Sequence, residues 1–249
     1  MPMKDKVALV TGASRGIGAA TARMLARHGA AVAVNYFRSA NAARKVVSEI
    51  VDEGGNAIAV RADVRNMNQV EAMSRKVAET LGPIDTLVLN ASISFPVLPF
   101  LKIPWKDFQA KLVGELQAAF FCCKAVVPAM VMRKKGCIIG ISSGLSRVVG
   151  EGFCAHSTAK SGLDAFMKSL ALELGPKGIR VNVVAPGLTE TDATAFLSKK
   201  EKDAAALITP LKRIGLPDDV AGAVVLLASE EARFVSGAYL PVSGGIHMT

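Results

Sequence analysis

Ser143, His156 and Lys160 stand thirteen and four residues apart, where Gly136-Cys137-Ile138-Ile139-Gly140-Ile141-Ser142-Ser143 is followed by Phe153-Cys154-Ala155-His156-Ser157-Thr158-Ala159-Lys160. A hydroxyl, an imidazole and an ammonium so spaced can orient a carbonyl oxygen, exchange a proton with it and hold a hydroxylated ligand. An imidazole in the first turn of a helix also has a plainer reading, that it fills space. A second cluster lies near the N-terminus. The apolar run Val7-Ala8-Leu9-Val10 leads into Thr11-Gly12-Ala13-Ser14-Arg15-Gly16-Ile17-Gly18 and then a helical pattern. Glycines at 12, 16 and 18 allow a tight turn, close approach of backbone to a pyrophosphate, and close helix–strand packing, with free N–H groups facing the anion. The next apolar run ends Asn35-Tyr36-Phe37-Arg38-Ser39, without the acid that would grip a ribose 2′-hydroxyl. Arg15 and Arg38 suit a 2′-phosphate instead, which favours NADP(H) over NAD(H).

The elements that must position these groups alternate along the chain. Strands are predicted at Lys6–Thr11, Ala31–Asn35, Ala57–Arg61, Thr86–Asn90, Cys137–Ser142, Arg180–Ala185 and Ala238–Val242. Helical spacing of apolar residues marks Ala19–His28, Ala42–Glu53, Gln69–Leu81, Leu116–Met132, Ala159–Leu174 and Asp218–Leu227. Gly29, Gly54-Gly55, Gly82-Pro83 and Gly175-Pro176 supply the stops. The strands are apolar throughout, as when helices cover both faces of a parallel sheet. The expectation is a single α/β domain over residues 1–249, a Rossmann-type doubly wound parallel sheet of seven strands in a three-layer αβα sandwich.

Bulk properties exclude several classes. The 249 residues are 51% hydrophobic and 20% charged, ordinary for a globular protein. The longest apolar stretch, Ala118 to Met132, is interrupted by Lys124 and Pro128 and falls short of a membrane span. No signal peptide is evident, so a cytoplasmic protein with no membrane partner is expected. Cys122, Cys123, Cys137 and Cys154 have neither disulfide-scaffold nor zinc spacing. The net charge of +9 is spread out. It points to no nucleic acid, while an anionic cofactor or acidic carrier would be attracted.

The chain resembles the short-chain dehydrogenase/reductase family over essentially its whole length. The resemblance rests on Thr11–Gly18, Asp63-Val64, Asn90-Ala91, Pro186-Gly187 with Thr191, and the closing Pro241-Val242-Ser243-Gly244-Gly245. It is nearest to the 3-oxoacyl-carrier-protein reductases. It implies cofactor contacts from Gly12, Ser14, Arg15, Gly16, Ile17 and Gly18, from Asn35, Tyr36, Arg38 and Ser39, and from Asp63, Val64, Asn90, Ala91 and Lys160. Pro186, Gly187, Leu188, Thr189 and Thr191 complete that set. It also implies a homo-oligomer, tetramer or dimer, built on the helices near 116–132 and 159–174, a substrate lid at about 188–210 with a helical Ala193–Ile208, and hydride transfer to or from a small-molecule carbonyl or alcohol.

The family's catalytic set is Asn, Ser, Tyr and Lys. Ser143 and Lys160 match it, His156 stands at the tyrosine position, and counting back from Phe120-Phe121-Cys122-Cys123 puts Glu115 at the asparagine. Leu89-Asn90-Ala91-Ser92 departs from Asn-Asn-Ala-Gly. An imidazolium would be a good acid, opposed by Lys160 and a positive nicotinamide; Glu115 near Lys160 would offset that opposition and make a compensated pair. Activity would then fall as pH rises through an imidazole-like pKa. Three readings follow: an NADPH-dependent reductase of a carbonyl, perhaps a carrier-bound 3-oxoacyl thioester; an NADP-binding sensor or partner subunit without turnover; and a non-redox dehydratase, isomerase or cyclase with His156 as base.

Overall fold

Runs such as Val7-Ala8-Leu9-Val10 send apolar side chains to both sides, and they need a helix layer above and another below. The computed structural model describes residues 1–247. Its strands are β1 (Val7–Val10), β2 (Ala31–Tyr36), β3 (Asn56–Arg61), β4 (Thr86–Leu89), β5 (Gly136–Ile141), β6 (Ile179–Pro186) and β7 (Tyr239–Val242). They form one sheet in the order β3-β2-β1-β4-β5-β6-β7, with every neighbouring pair parallel. The chain fills one half outward from β1, then returns to lay β4 on β1's other edge. A crevice therefore opens beyond the carboxyl ends of β1 and β4, where such sheets take ligands.

Helices α1 (Gly16–Arg27), α2 (Ala40–Asp52) and α7 (Pro217–Ala228) cover one face; α3 (Met67–Leu81), α4 (Trp105–Arg133) and α5 (Cys154–Leu174) cover the other. Ala8 and Val10 pack into the first layer, Val7 and Leu9 into the second. Each fully buried Leu or Ile, such as Leu9, Ile138 and Ile139, contributes about 1.5–3 kcal/mol by leaving water. The expected three-layer sandwich is the fold adopted.

Two helices start at least five residues before their apolar pattern predicts. α4 begins at Trp105, not Leu116, and α5 at Cys154, not Ala159. The buried stripe of α4 opens with Lys111, Gly114 and Glu115 before Ala118, Ala119 and Cys122, while the buried side of the first turns of α5 includes Ser157 and Lys160. Polar residues on an inward face hide a helix from a hydrophobicity count. By length and hydropathy α4 would also pass for a membrane span, contrary to the sequence reading, but its apolar side is spent on the sheet and on neighbouring helices. Ala193–Ile208 is a further correction. It divides into a 3-10 turn, Asp192–Thr194, and α6 (Lys199–Ile208), because Ser198 and Glu201 cap each other in a reciprocal box that starts a new helix.

Candidate active site

The glycine turn sits at the head of the crevice. Gly12 and Gly16 have φ of 62° and 56°, a left-handed conformation that favours glycine. At Gly18 an added Cβ would lie 2.7 Å from the Gly12 carbonyl oxygen and 2.9 Å from the Ala13 Cα, so α1 presses directly on the turn. Arg15, preceding α1, makes no side-chain cap, which leaves the first helical N–H groups for an anion. Gly18→Ala is expected to destabilise the fold by about 1–3 kcal/mol through overpacking and to weaken dinucleotide binding. A thermal melt with an NADPH titration checks both.

Two asparagines expected to touch cofactor also brace the turn. Asn35 is buried; its Oδ1 accepts from the Gly12 N–H (3.1 Å) and its Nδ2 donates to the carbonyls of Val60 (3.3 Å) and Ala62 (3.2 Å). Asn90 Nδ2 donates to the carbonyls of Thr11 (2.8 Å) and Gly12 (3.1 Å). Buried amides need such partners, and here meeting that need fixes the turn. The Asp63 carboxylate accepts a bidentate pair from Arg65 at 3.0 and 2.8 Å, which holds it below the usual carboxylate range.

The remaining expected residues ring the crevice. Val64 and Pro186 are buried, and Ser14, Ile17, Tyr36, Ser39, Ala91, Gly187 and Leu188 are half-buried. Arg15 is exposed, 3.9 Å from Asp192 across the opening, and Arg38 lies 5.3 Å from the Phe37 ring centroid. A Cβ at Gly16 would lie 3.6 Å from the Thr191 methyl, so the segment after β6 closes over the turn. Thr189 is buried and pairs with Gly215.

At the reactive end Glu115 lies between two lysines. Its Oε1 is 2.6 Å from Lys160 Nζ, and its Oε2 is 2.7 Å from Lys111 Nζ. Oε2 also accepts from Ser92 Oγ (3.2 Å) and the Ile93 N–H (3.1 Å). All three charged residues are buried, at 0% exposure for Lys111, 3% for Glu115 and 4% for Lys160. Burial raises the Glu115 pKa, but the two ammonium groups outweigh it and hold the carboxyl down at about 2. Burial draws Lys111 down to about 8, with the carboxylate keeping it protonated at neutral pH. Lys111 spends its three donors on Glu115, Ser92 Oγ (2.8 Å) and the Ile93 carbonyl (2.9 Å). Lys160 donates to Glu115 and the Ile141 carbonyl (2.7 Å), leaving one donor without a partner among the described residues. The expected nearness of Glu115 to Lys160 holds. Lys111 was missed: a Lys four residues before a Glu reads as an exposed helical pair, and only its phase on the buried stripe gives it away.

His156 stacks on Phe95 with ring centroids 4.8 Å apart and planes 18° apart, and Phe153 meets it edge-on at 6.4 Å. Its Nδ1 is buried without a partner. An unpaired N–H is the rarer kind of buried orphan, which assigns the proton to Nε2 in the neutral ring. Desolvation first, then Lys111 and Lys160, push the pKa down to about 3, with Glu115 the smallest influence and the only upward one. The compensated pair expected from the sequence is therefore corrected, because Glu115 is saturated by two lysines and does not sustain an imidazolium.

Ser143 Oγ accepts from the Leu145 N–H at 3.2 Å, and the Tyr239 hydroxyl donates to the Ser143 carbonyl at 3.2 Å. No hydrogen bond joins Ser143, His156 and Lys160 directly among the described residues. The His247 ring lies against Gly144, where a Cβ would collide with it, so the closing turn of the chain walls this end of the crevice.

Comparison with known proteins places this geometry in company. A family profile described as enoyl-(acyl carrier protein) reductase matches residues 12–247. A 3-oxoacyl-(acyl-carrier-protein) reductase of Synechocystis sp. is 41% identical over 244 residues, covering 98% of this chain and 97% of that protein. An L-rhamnose 1-dehydrogenase (NAD(P)(+)) of Sphingomonas sp. is 39% identical over 249 residues, covering 99% and 98%. Among solved structures, a dehydrogenase/reductase from Sinorhizobium meliloti superposes with a TM-score of 0.91 at 37% identity, covering 99% of this chain and 98% of that one. A blue fluorescent protein from a metagenomic library, in complex with NADPH, gives 0.90 at 35% identity with full coverage of both chains.

Proposed function

Because the chain belongs to the short-chain dehydrogenase/reductase family and is an NADP(H)-dependent oxidoreductase of that kind, we propose that it reduces a ketone through Ser143, His156 and Lys160. The substrate class is a 3-oxoacyl thioester or a similar ketone. The cofactor fit rests on this chain's own residues: the cradle at Gly12 and Gly16, the uncapped start of α1, and Arg15 and Arg38 for a 2′-phosphate. NADPH bound there supplies the hydride. Lys160 offers its unspent N–H to the ribose hydroxyls. Ser143 and the Nε2–H of His156 donate to the substrate oxygen. As negative charge grows on that oxygen, a neutral imidazole meets it as an electrophile, as a neutral histidine can elsewhere, and the alkoxide takes the proton that completes the alcohol from solvent entering the crevice. Phe95 and Phe153 pack against the ring and orient it.

The observation that carries this reading is Lys160, buried and fixed at 2.6 and 2.7 Å by two partners yet with one donor free. The exposed, lysine-rich start of α6 and the net charge of +9 suit an acidic carrier. Exposed Val113 and Phe120 on α4 and Leu172 on α5 suit a homo-oligomer, and a cytoplasmic setting goes with this reading. A second reading, cofactor binding without turnover, draws on the same depressed imidazole, because a ring near pKa 3 supplies no strong acid at neutral pH. A base that weak counts against the non-redox reading.

The test is NADPH oxidation with a short 3-oxoacyl thioester, in this protein and its His156→Tyr variant, between about pH 5 and 8. Turnover by the unmodified protein with no inflection at the usual imidazole pKa is expected. Activity confined to the tyrosine variant would move the assignment to binding without turnover.

A further inference from the structure

Lys111 is the largest fully buried side chain among the described residues, and the hydride chemistry proposed above makes no use of its charge. Its ammonium lies 5.1 Å from the Phe95 ring centroid, and His156 stacks on that same ring at 4.8 Å. Lys111 Nζ and the imidazole are thus no more than about 10 Å apart, on either side of one aromatic ring. One face of the pair's surroundings is α4, with Lys111 and Glu115; the other is α5, with Lys160; the loop after β4 contributes Phe95 and, against Lys111 and Glu115, the uncharged Ser92 and Ile93. Two cations and one anion leave this buried cluster with a net positive charge. A third cation on His156 would share Phe95 with Lys111 in surroundings that screen poorly.

We propose that Lys111 is a positioning residue that fixes the chemistry of His156: locked onto Glu115 and seated against Phe95, it excludes a second cation from that ring and keeps the imidazole a neutral N–H donor. The inference deepens the reductase reading and rests on it for its purpose, but the charge state it describes is measurable with no substrate present. Lys111 would then add to burial in keeping the site independent of pH across the range in which free histidines titrate.

The test is an NMR titration of the His156 ring protons in the full-length protein, assigned against a His156→Tyr variant. In the unmodified protein the ring should show no titration above about pH 4. Lys111→Met leaves one anion and one cation and should move the midpoint up by at least about one pH unit, a tenfold change in proton affinity. Lys111→Arg keeps the charge and should behave as the parent. Lys111→Met with Glu115→Gln restores the net positive charge and should return the midpoint to the parent's. A structural role, in which losing Lys111 merely lets water in, predicts that both methionine variants shift alike, and that result overturns the proposal. So does an unmoved ring in a folded Lys111→Met protein. Should Lys111→Met not fold, Lys111→Gln carries the same charge change with a hydrogen-bond partner for Glu115. NADPH turnover absent in every variant, with the titrations as expected, would reject the reductase reading and leave this inference standing.

Discussion

Glu115→Gln should lower the stability of the folded protein by about 3–5 kcal/mol, the cost of leaving buried charge without its partner. For a chain of this size that is a fall in melting temperature of roughly 10 °C. The effect is large because one carboxylate serves two ammonium groups and accepts four donors in all. Glutamine keeps the shape and an acceptor but leaves the buried Lys111 and Lys160 without a counter-ion. Acid probes the same contact. The Glu115 carboxyl is held below its unfolded value, so its contribution is fully present above pH 4.5 and is lost as pH falls through about 2. His156 adds to acid sensitivity. Its folded pKa of about 3 against 6.5 unfolded means the unfolded chain takes up a proton first, and stability declines as pH falls from 6.5 through 3. Thermal melts of parent and variant at neutral pH decide the point, and a difference within about 2 °C, under 1 kcal/mol, would show that the triad holds little of the fold together.

Lys160→Met should do the reverse, sparing the fold and removing the chemistry. Glu115 retains Lys111 at 2.7 Å together with Ser92 and the Ile93 N–H, so no anion is orphaned, and methionine fills the lysine stem's volume. What goes is the positioned cation that holds Glu115 and the Ile141 carbonyl and has a donor unspent among the described residues. Turnover should fall about 10²–10⁴-fold, with NADPH binding weakened and the melting temperature within a few degrees of the parent's. Steady-state kinetics beside a calorimetric scan measure both. Full turnover in this variant would remove Lys160 from the mechanism, and collapse of the fold would make its role structural. The opposed outcomes at two residues in direct contact are the sharpest division between what holds the site and what operates it.

The sheet was legible because it is made by repetition. Seven apolar runs alternating with helical spacing leave few other arrangements, and the predicted strands fall within a residue or two of the observed ones. The misreadings share a cause. The start of α4, the first turn of α5 and the role of Lys111 all involve polar residues on inward faces, where the hydrophobic pattern goes silent while the structure continues. Glu115 was found through resemblance, by counting along a matched helix. Its second lysine has no counterpart in that count. The bracing role of Asn35 and Asn90 was hidden for another reason: an asparagine beside a ligand site and one that braces the site's backbone look identical until hydrogen-bond partners are known. Ser198 shows the opposite case, since its pairing with Glu201 is a local signal that breaks Ala193–Ile208 and was readable in the sequence.

The saturation of Glu115 also constrains how this protein can be altered. His156 shares no hydrogen bond with a charged neighbour, so it can be exchanged by itself, and a library at that position samples chemistry on a constant scaffold. Positions 111 and 115 cannot be varied at equal cost, because losing the carboxylate strands both Lys111 and Lys160, whereas losing Lys111 leaves Glu115 paired with Lys160. Selection for a new activity would therefore find one-step routes through the imidazole, while any route through Glu115 passes through a poorly folded protein.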